Sequence, residues 1–298
     1  MDRNGDASDV HALSLAYYAP SPALQPYVTT FYSLRSGDGA LSDTIPAVGC
    51  YLLVVLCGSA EVEFADGRVE PAHPASLLVP GNSAAIARMA GPVHLVGATL
   101  SPLGWAALTG LPASRHCDRL SDAEAWFPGA GRLVAAMQAA VAAGANPGEL
   151  IAPMADFIAS RLKPVNPRHA ELIETVAEWL SSGFDPSLAD LSARTTYSAR
   201  QLERLVERYF AASPRLLARK FRVLRAAALL QDPATTDART AELLNLFYDQ
   251  SHMIREMRRF LGSTPARLGG VNYPLLAALT GPRNFREISP NVARMPGD

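Results

Sequence analysis

Residues 187–210 constrain the fold most, because their apolar positions recur at helical spacing in two segments joined by a tight connection. Leu188 and Leu191 form the apolar side of the first segment. Ser198 can cap the free amide groups at the start of the second segment. The apolar stripe of the second segment consists of Leu202, Leu205, Val206 and Tyr209. This pattern predicts a helix-turn-helix.

The open face of the second predicted helix is rich in charge. It carries Arg200, Glu203, Arg204, Glu207 and Arg208. Arginine on such a face suits a helix that lies in a DNA major groove, because a guanidinium group can bond guanine O6 and N7 or hold a phosphate. The same face suits a helix that meets only solvent, so this stretch alone leaves both interpretations open.

A second unit of the same kind follows. Residues 213–230 begin with Ser-Pro, which suits an N-cap and the first helical position, and they predict a long helix. Residues 240–246 then predict a short helix and residues 250–261 another, with residues 248–249 as the connection. The chain therefore uses a helix-turn-helix twice, with a long helix between the two units.

The net charge of −1 hides an asymmetry between the two halves of the 298-residue chain. Residues 1–164 carry 9 Lys+Arg against 14 Asp+Glu, net −5, and residues 165–298 carry 18 against 14, net +4. Within residues 194–225 nine cations face only two glutamates, net +7. We expect the cations of the long helix to lie on its outer side. A basic segment of this kind predicts salt-dependent binding to a polyanion.

Residues 24–97 have a different pattern, with short β-prone segments separated by Gly, Pro, Asp or Asn. The predicted strands are residues 27–34, 51–57, 60–64, 75–79, 84–89 and 93–98. Their number and spacing favour an antiparallel barrel or sandwich, and we interpret this part as a small cupin-like β barrel. Residues 1–20 have no periodic pattern, and we expect them to be frayed.

Helical signals follow the strands in residues 101–111, 131–143 and 147–162. Two prolines in residues 163–167 then break all periodicity and indicate a domain boundary.

The predicted fold class is therefore α+β. An antiparallel barrel with trailing helices precedes an all-α domain of two helix-turn-helix units joined by a long helix. The predicted domains are residues 1–163, residues 164–268 and a tail of residues 269–298.

The composition, 49% hydrophobic and 18% charged residues, is that of a globular protein. The chain has no uninterrupted apolar run long enough for a membrane span, and its polar, acidic start does not resemble a signal peptide. Cys50, Cys57 and Cys117 lack paired Cys-x-x-Cys spacing, which suits a reducing compartment. We expect a cytoplasmic protein with no membrane contact and no cofactor.

Five segments carry a resemblance to a known family: residues 187–191 (SLADL), 198–205 (SARQLERL), 213–214 (SP), 225–226 (RA) and, above all, 247–265 (FYDQSHMIREMRRFLGSTP). Through them residues 168–268 resemble the DNA-binding domain of the AraC/XylS family of bacterial transcription regulators. The resemblance implies two recognition helices that enter major grooves about one DNA turn, or ~34 Å, apart.

At the matching positions, the implied DNA contacts are Arg200, Glu203, Arg204 and Arg208 in the first unit and Gln250, Ser251, Ile254, Arg255 and Arg259 in the second.

The second unit departs from the family pattern at Glu242, Leu244, Leu246, Met253 and Met257. The first three replace small residues or glycine, and the two methionines replace phenylalanine. Leucine at the tight turn would be strained if its φ were positive. We therefore expect the first unit to be better preserved, with Arg200 and Arg204 mattering most.

The N-terminal part resembles more loosely the cupin-like sensory domains found ahead of this DNA-binding module. The matching residues are 21–28, 79–81, 97–104 and 110–112. The resemblance implies effector sensing or dimerisation but names no ligand. Aromatic residues that could line a pocket, or form only core, are Tyr32, Tyr51, Phe64, Trp105 and Trp126.

The sequence thus predicts a sequence-specific transcription regulator that is not an enzyme. Its expected partners are double-stranded promoter DNA and an unknown small effector, with RNA polymerase and a second copy of the chain as further candidates. The alternative is a metal-dependent cupin-type enzyme fused to a DNA-binding domain. His73, His94 and Cys57 are the candidate ligands for that metal.

Overall fold

Antiparallel strands form a single eight-stranded sheet in the N-terminal part of the protein. The structure, a computed structural model, describes residues 13–79, 81–268 and 273–280. The strands are β1 (Ser14–Tyr18), β2 (Val28–Arg35), β3 (Leu41–Ile45), β4 (Cys50–Glu63), β5 (Val69–Pro71), β6 (Ala75–Val79), β7 (Ala85–Leu100) and β8 (Arg119–Asp122). The main path is β1-β2-β7-β4-β6-β8, while β3 pairs with β7 and β5 with β4.

Eleven helices are described, and most of them follow the sheet. Those next to the sheet are α1 (Pro102–Thr109), α2 (Ala123–Trp126), α3 (Ala130–Ala142) and α4 (Ile151–Ala159). The C-terminal set is α5 (Pro167–Ser181), α6 (Leu188–Ala193), α7 (Ala199–Phe210), α8 (Pro214–Gln231), α9 (Asp237–Leu244), α10 (Gln250–Leu261) and α11 (Pro274–Thr280). The predicted α+β class is confirmed. No helix in the described ranges combines the length and apolar character needed to cross a membrane.

The two central strands, β4 and β7, are longer than predicted. The separate strands expected at 51–57 and 60–64 are one strand, and so are those expected at 84–89 and 93–98. Shifts of register near Cys57 bend β4 without ending it. Gly58 permits this bend, because it has φ +77° and an added Cβ would lie 2.7 Å from Val93.

The prediction that residues 1–20 are frayed is wrong for residues 14–18, which form β1; residues 1–12 lie outside the described part of the chain. Within the predicted tail of residues 269–298, Pro274–Thr280 form α11. Both elements depend on tertiary partners. β1 bonds to β2, and α11 rests on β3. The local pattern of either segment therefore gives little sign of its structure.

Alternate residues along the strands lie on opposite faces of the sheet and contribute to two separate apolar cores. Phe31, Leu52, Leu77 and Val96 belong to a core shared with Trp105 of α1 and Met137 of α3. Their sequence neighbours on the opposite face, Tyr32, Tyr51, Leu78 and Leu95, form a second core that includes Leu275 of α11. Both faces of the sheet are thus covered.

Helix α8 connects the sheet to the other helices through buried cations. Lys220 Nζ donates a hydrogen bond to the carbonyl oxygen of Gly81, 3.0 Å away, in the loop after β6. Arg225 donates to the carbonyl oxygens of Leu180 and Gly183 at and beyond the end of α5. These carbonyls lack helical partners, so a buried guanidinium group satisfies them.

We expect Arg225→Met to lower the free energy of unfolding by about 3 kcal/mol, because it leaves buried carbonyl groups without their charged donor. Arg215→Met on the same helix is the control, since Arg215 is exposed, and it should change stability by less than about 0.5 kcal/mol. Urea unfolding of the two variants measures the difference. Similar small losses in both variants would contradict the bridging role of Arg225.

Candidate nucleic-acid interface and cavity

Side-chain caps position the first helix-turn-helix, α6 and α7. Ser187 caps α6 through a 3.0 Å hydrogen bond from the Asp190 amide, and Trp179 Nε1 donates to the carbonyl of Ser187 at 2.7 Å. Ser198 and Gln201 form a reciprocal capping box at the start of α7. The predicted apolar stripe of α7 is buried. These contacts fix the first turn of α7 and leave its polar face open.

Three of the predicted DNA-contacting residues on α7 are exposed. Among the described residues, the side chains of Arg200, Glu203 and Arg204 make no hydrogen bond or ion pair and are open to solvent. Arg208 is placed differently: its guanidinium group donates a 3.0 Å hydrogen bond to the Gly110 carbonyl just after α1. Arg208 therefore contacts the N-terminal part, and its contact with DNA stays a prediction.

The second unit, α9 and α10, is also regularly formed. Asp249 caps α10 by accepting a 2.6 Å hydrogen bond from the amide of His252. Gln250, Ser251 and Arg255 are exposed, and Ile254 is half-buried. Within the described residues only Asp118 and Ala211 combine a side chain with positive φ, so the strain considered for Leu246 does not arise.

Arg259 lies at the far end of α10 and faces the sheet. Its Nε atom donates to the carbonyl of Asn82 at 3.1 Å, and its own carbonyl accepts from Ala84 at 2.7 Å. The carbonyl of the next residue, Phe260, accepts from Ala47 at 2.8 Å. The end of α10 is therefore fastened to two loops of the sheet, and DNA contact by Arg259 stays a prediction.

The inner side of α10 is held by an ion pair between a buried carboxylate and a half-buried arginine. Glu256 is 4% exposed, and its two carboxylate oxygens accept hydrogen bonds from Arg219 of α8 at 3.1 and 2.6 Å. This two-point geometry fixes direction as well as distance. The ion pair therefore keeps the face of α10 that carries Gln250 and Arg255 turned outward.

Sequence reasoning missed Tyr248 as a candidate contact and treated it only as part of a connection. Its side chain is 93% exposed beside the start of α10. A tyrosine hydroxyl can donate to a DNA phosphate. An aromatic residue next to the polar face of α10 was the signal available in the sequence.

The expectation that α8 carries its cations on an outer face is wrong. Arg215 is exposed, whereas Arg219, Lys220, Arg222 and Arg225 are buried or half-buried and hydrogen-bonded to other elements. The net charge of residues 194–225 therefore overstates the charge available to a polyanion. Local sequence counts charges, but burial decides which of them reach solvent.

A cavity of about 300 Å³ lies between the sheet and helices α5, α7, α8 and α11. Its wall is mostly aliphatic and aromatic. Of the predicted pocket residues, Tyr32, Tyr51 and Trp105 line it, whereas Phe64 and Trp126 do not. The rings of Tyr32 and Tyr51 meet edge to face with centroids 6.3 Å apart. The Tyr32 hydroxyl is a neutral hydrogen-bonding group at neutral pH, and burial raises its pKa further above that pH.

Lys220 also lines the cavity, although sequence reasoning assigned it to the basic surface. Burial lowers the pKa of its ammonium group to about 8, and the nearby Asp118 carboxylate partly opposes that shift. The cavity therefore has an apolar wall with one amine at the boundary between the sheet and α8.

Among the described residues, the candidate ligands His73, His94 and Cys57 are not brought together in a cluster that could hold a metal ion. His94 is buried, and its Nε2 atom lies 3.1 Å from the Ser33 hydroxyl. Cys57, its cross-strand neighbour, is exposed, and its thiol contacts the Pro92 carbonyl. In the described ranges no three His, Cys, Asp or Glu side chains come together in a way that could hold a metal ion.

Residues 191–269 match the family described as "Helix-turn-helix domain". An AraC-type helix-turn-helix domain is therefore confirmed for this part of the chain. No curated protein matches the sequence.

Solved structures with a similar arrangement include ToxT from Vibrio cholerae O395, at 13% identity and a TM-score of 0.45, with 81% of this chain and 98% of that chain covered. Unsaturated-fatty-acid-bound ToxT from Vibrio cholerae strain SCE256 matches at 11% identity and a TM-score of 0.41, covering 79% and 91%. The AraC-like transcriptional activator CuxR matches at 11% identity and a TM-score of 0.30, covering 65% and 80%.

The lowered pKa of Lys220 predicts a pH dependence of stability. Between the folded pKa of about 8 and the ordinary value of 10.5 the unfolded chain binds more protons at this residue. The contribution of Lys220 to the free energy of unfolding should therefore rise with pH across this window, by up to about 3 kcal/mol.

Urea unfolding of wild type and Lys220→Met at several pH values from 7 to 11 tests this. Comparison with the variant removes the contributions of tyrosines and cysteines that titrate in the same range. Wild type should gain stability relative to the variant between pH 8 and 10.5. A constant difference would contradict the buried, proton-releasing state of Lys220.

Proposed function

We propose that this protein regulates transcription by binding promoter DNA through α7 and α10. The observation that carries the proposal is the repeated local geometry. Each helix follows a tight connection, has a side-chain cap at its start, buries an apolar stripe and exposes a polar face. Both helices lie within residues 191–269, which match a helix-turn-helix family.

The exposed side chains suit the reading of base edges. Arg200 and Arg204 can each bond guanine O6 and N7, and Gln250 can bond adenine N6 and N7. Glu203 can accept a hydrogen bond from cytosine N4, while Ser251 can bond either a base edge or a phosphate. In the proposed complex, α7 and α10 occupy major grooves about one helical turn, or ~34 Å, apart.

We propose that the two parts of the chain have different roles. Residues 164–268 bind DNA, and residues 1–163 bind a small effector in the cytoplasm of a bacterial cell. Support for the effector comes from the cavity of about 300 Å³, which is lined mainly by apolar side chains and meets both parts. We propose an apolar molecule with a small hydrogen-bonding group, because Tyr32 and Tyr51 contribute hydroxyl groups and Lys220 an amine to the lining.

Contacts of α7 and α10 with the N-terminal part support the proposal that an effector modulates DNA binding. Arg208 of α7 bonds the Gly110 carbonyl, and the end of α10 bonds the loops at Ala47 and Ala84. An effector that shifts the sheet against α8 therefore shifts the supports of both helices. In this proposal, the effector regulates DNA binding by changing the position of α7 relative to α10.

Arg204→Ala should weaken binding to promoter fragments from the gene's own neighbourhood about 5-fold or more, because a base or phosphate contact is worth about 1–3 kcal/mol. Fluorescence anisotropy at several salt concentrations measures the affinity. Wild-type affinity should fall steeply with salt, and a lost phosphate contact should reduce the slope by about 1. Arg255→Ala should have an effect of similar size if both units bind.

Arg132→Ala is the matched control, because Arg132 is an exposed arginine on α3, remote in sequence from α7 and α10. It removes the same charge and should leave affinity within about twofold of wild type. Wild-type binding that is absent or insensitive to salt would contradict the proposed function. So would equal effects of Arg204→Ala and Arg132→Ala.

A further inference from the structure

The short C-terminal helix α11 joins the sheet to the helical part. Leu275 packs into the core of Tyr32 and Tyr51, whereas the adjacent Leu276 packs into the core of α8 and α10. Both side chains are buried. Helix α11 therefore contributes apolar contacts to both parts at once.

A buried carboxylate anchors the start of α11. Asp43 of β3 is 2% exposed, and its Oδ2 atom accepts hydrogen bonds from the amides of Leu275 and Leu276 at 2.7 and 3.2 Å. Its other oxygen accepts from the Thr44 amide at 2.6 Å. A buried carboxylate without such donors is strongly destabilising. Two of its three donors come from α11, so Asp43 is stabilised in the sheet largely because α11 covers it.

Two further contacts hold the middle and the end of the helix. The Tyr17 hydroxyl of β1 donates to the Ala278 carbonyl at 3.2 Å. Gln231, the last residue of α8, donates from Nε2 to the Thr280 carbonyl at 3.2 Å and to its hydroxyl at 2.8 Å. One seven-residue helix is thus bonded to β1, β3 and α8 along its length.

The same helix forms one wall of the cavity. Leu275 and Leu279 line it from α11, facing a space that Tyr17 and Leu15 of β1 also line. An apolar molecule in this space would lie against both leucines. Movement of α11 would expose the space at this wall, and a bound molecule would add contacts that hold α11 in place.

We propose that α11 is the lid of the cavity and the element that links its occupancy to α8. The inference rests on the proposed function only in taking the cavity as the effector site. Helix α11 leaves to admit an apolar molecule and is held closed once that molecule packs against Leu275 and Leu279. Closure also fixes the last turn of α8 through Gln231 and Thr280, and α8 supports α10 through Arg219 and Glu256.

The test uses the full-length protein without DNA and the uncharged apolar fluorophore N-phenyl-1-naphthylamine as the probe. Hydrogen–deuterium exchange follows the amides of residues 275–280. The probe should slow exchange of the Leu275 and Leu276 amides about fivefold or more, because a ligand of the closed state suppresses opening. Stopped-flow fluorescence gives the association and dissociation rates of the probe.

Asp43→Ala should speed exchange of these amides about tenfold or more, through loss of two charge-assisted hydrogen bonds. It should also raise both the association and the dissociation rate of the probe, since the lid opens more often. Gln231→Ala should act in the same direction from the other end of α11, without altering the cavity wall, and serves if Asp43→Ala fails to fold. Asp38→Ala, at an exposed carboxylate before β3, is the control and should match wild type.

The lid is contradicted if the probe binds while exchange at Leu275 and Leu276 is unchanged, or if Gln231→Ala leaves the probe rates at wild-type values. Failure of wild type to bind the probe also overturns it. None of these measurements involves DNA. A protein that passes them yet does not bind promoter DNA therefore retains the lid and loses the proposed function.

Discussion

Buried and half-buried cations on α8 are the constraint on which the arrangement of the molecule depends. A buried ammonium or guanidinium group destabilises the fold unless oxygen atoms surround it. Each of these groups on α8 finds its oxygen on a different element. Lys220 bonds the loop after β6, Arg219 bonds Glu256 of α10, and Arg225 bonds carbonyls at the end of α5. Helix α8 can therefore adopt few positions relative to these partners.

The fixed position of α8 determines the geometry of both the candidate DNA interface and the cavity. The outward face of α10 is fixed because Arg219 holds Glu256 on its inner face. The boundary of the cavity is fixed because Lys220 ties α8 to the sheet at Gly81. Helix α8 thus positions α10 through one contact and borders the apolar cavity at another. A change at the cavity that moves α8 therefore also moves α10.

Much of the helical part could be predicted from the sequence, because its signals are local. The N-caps at Ser187, Ser198 and Asp249 and the apolar stripe of α7 appear within a few residues of the helices they define. The exposure of Arg200 and Arg204 also follows from helical period alone. By contrast, α11 and the continuity of β4 through Gly58 depend on partners far away in the chain, and β1 depends on its pairing with β2.

The sequence by itself determined the two helix-turn-helix units and the α+β class, because helical and strand periodicity are short-range properties. The tertiary structure alone decided which charges of α8 face solvent, since burial of Lys220 and Arg225 requires α8 to meet the sheet and α5. It also decided where the cavity lies and that α11 closes one side of it. Those features come from long-range packing, in which the buried carboxylate of Asp43 is satisfied by amides more than two hundred residues further along the chain.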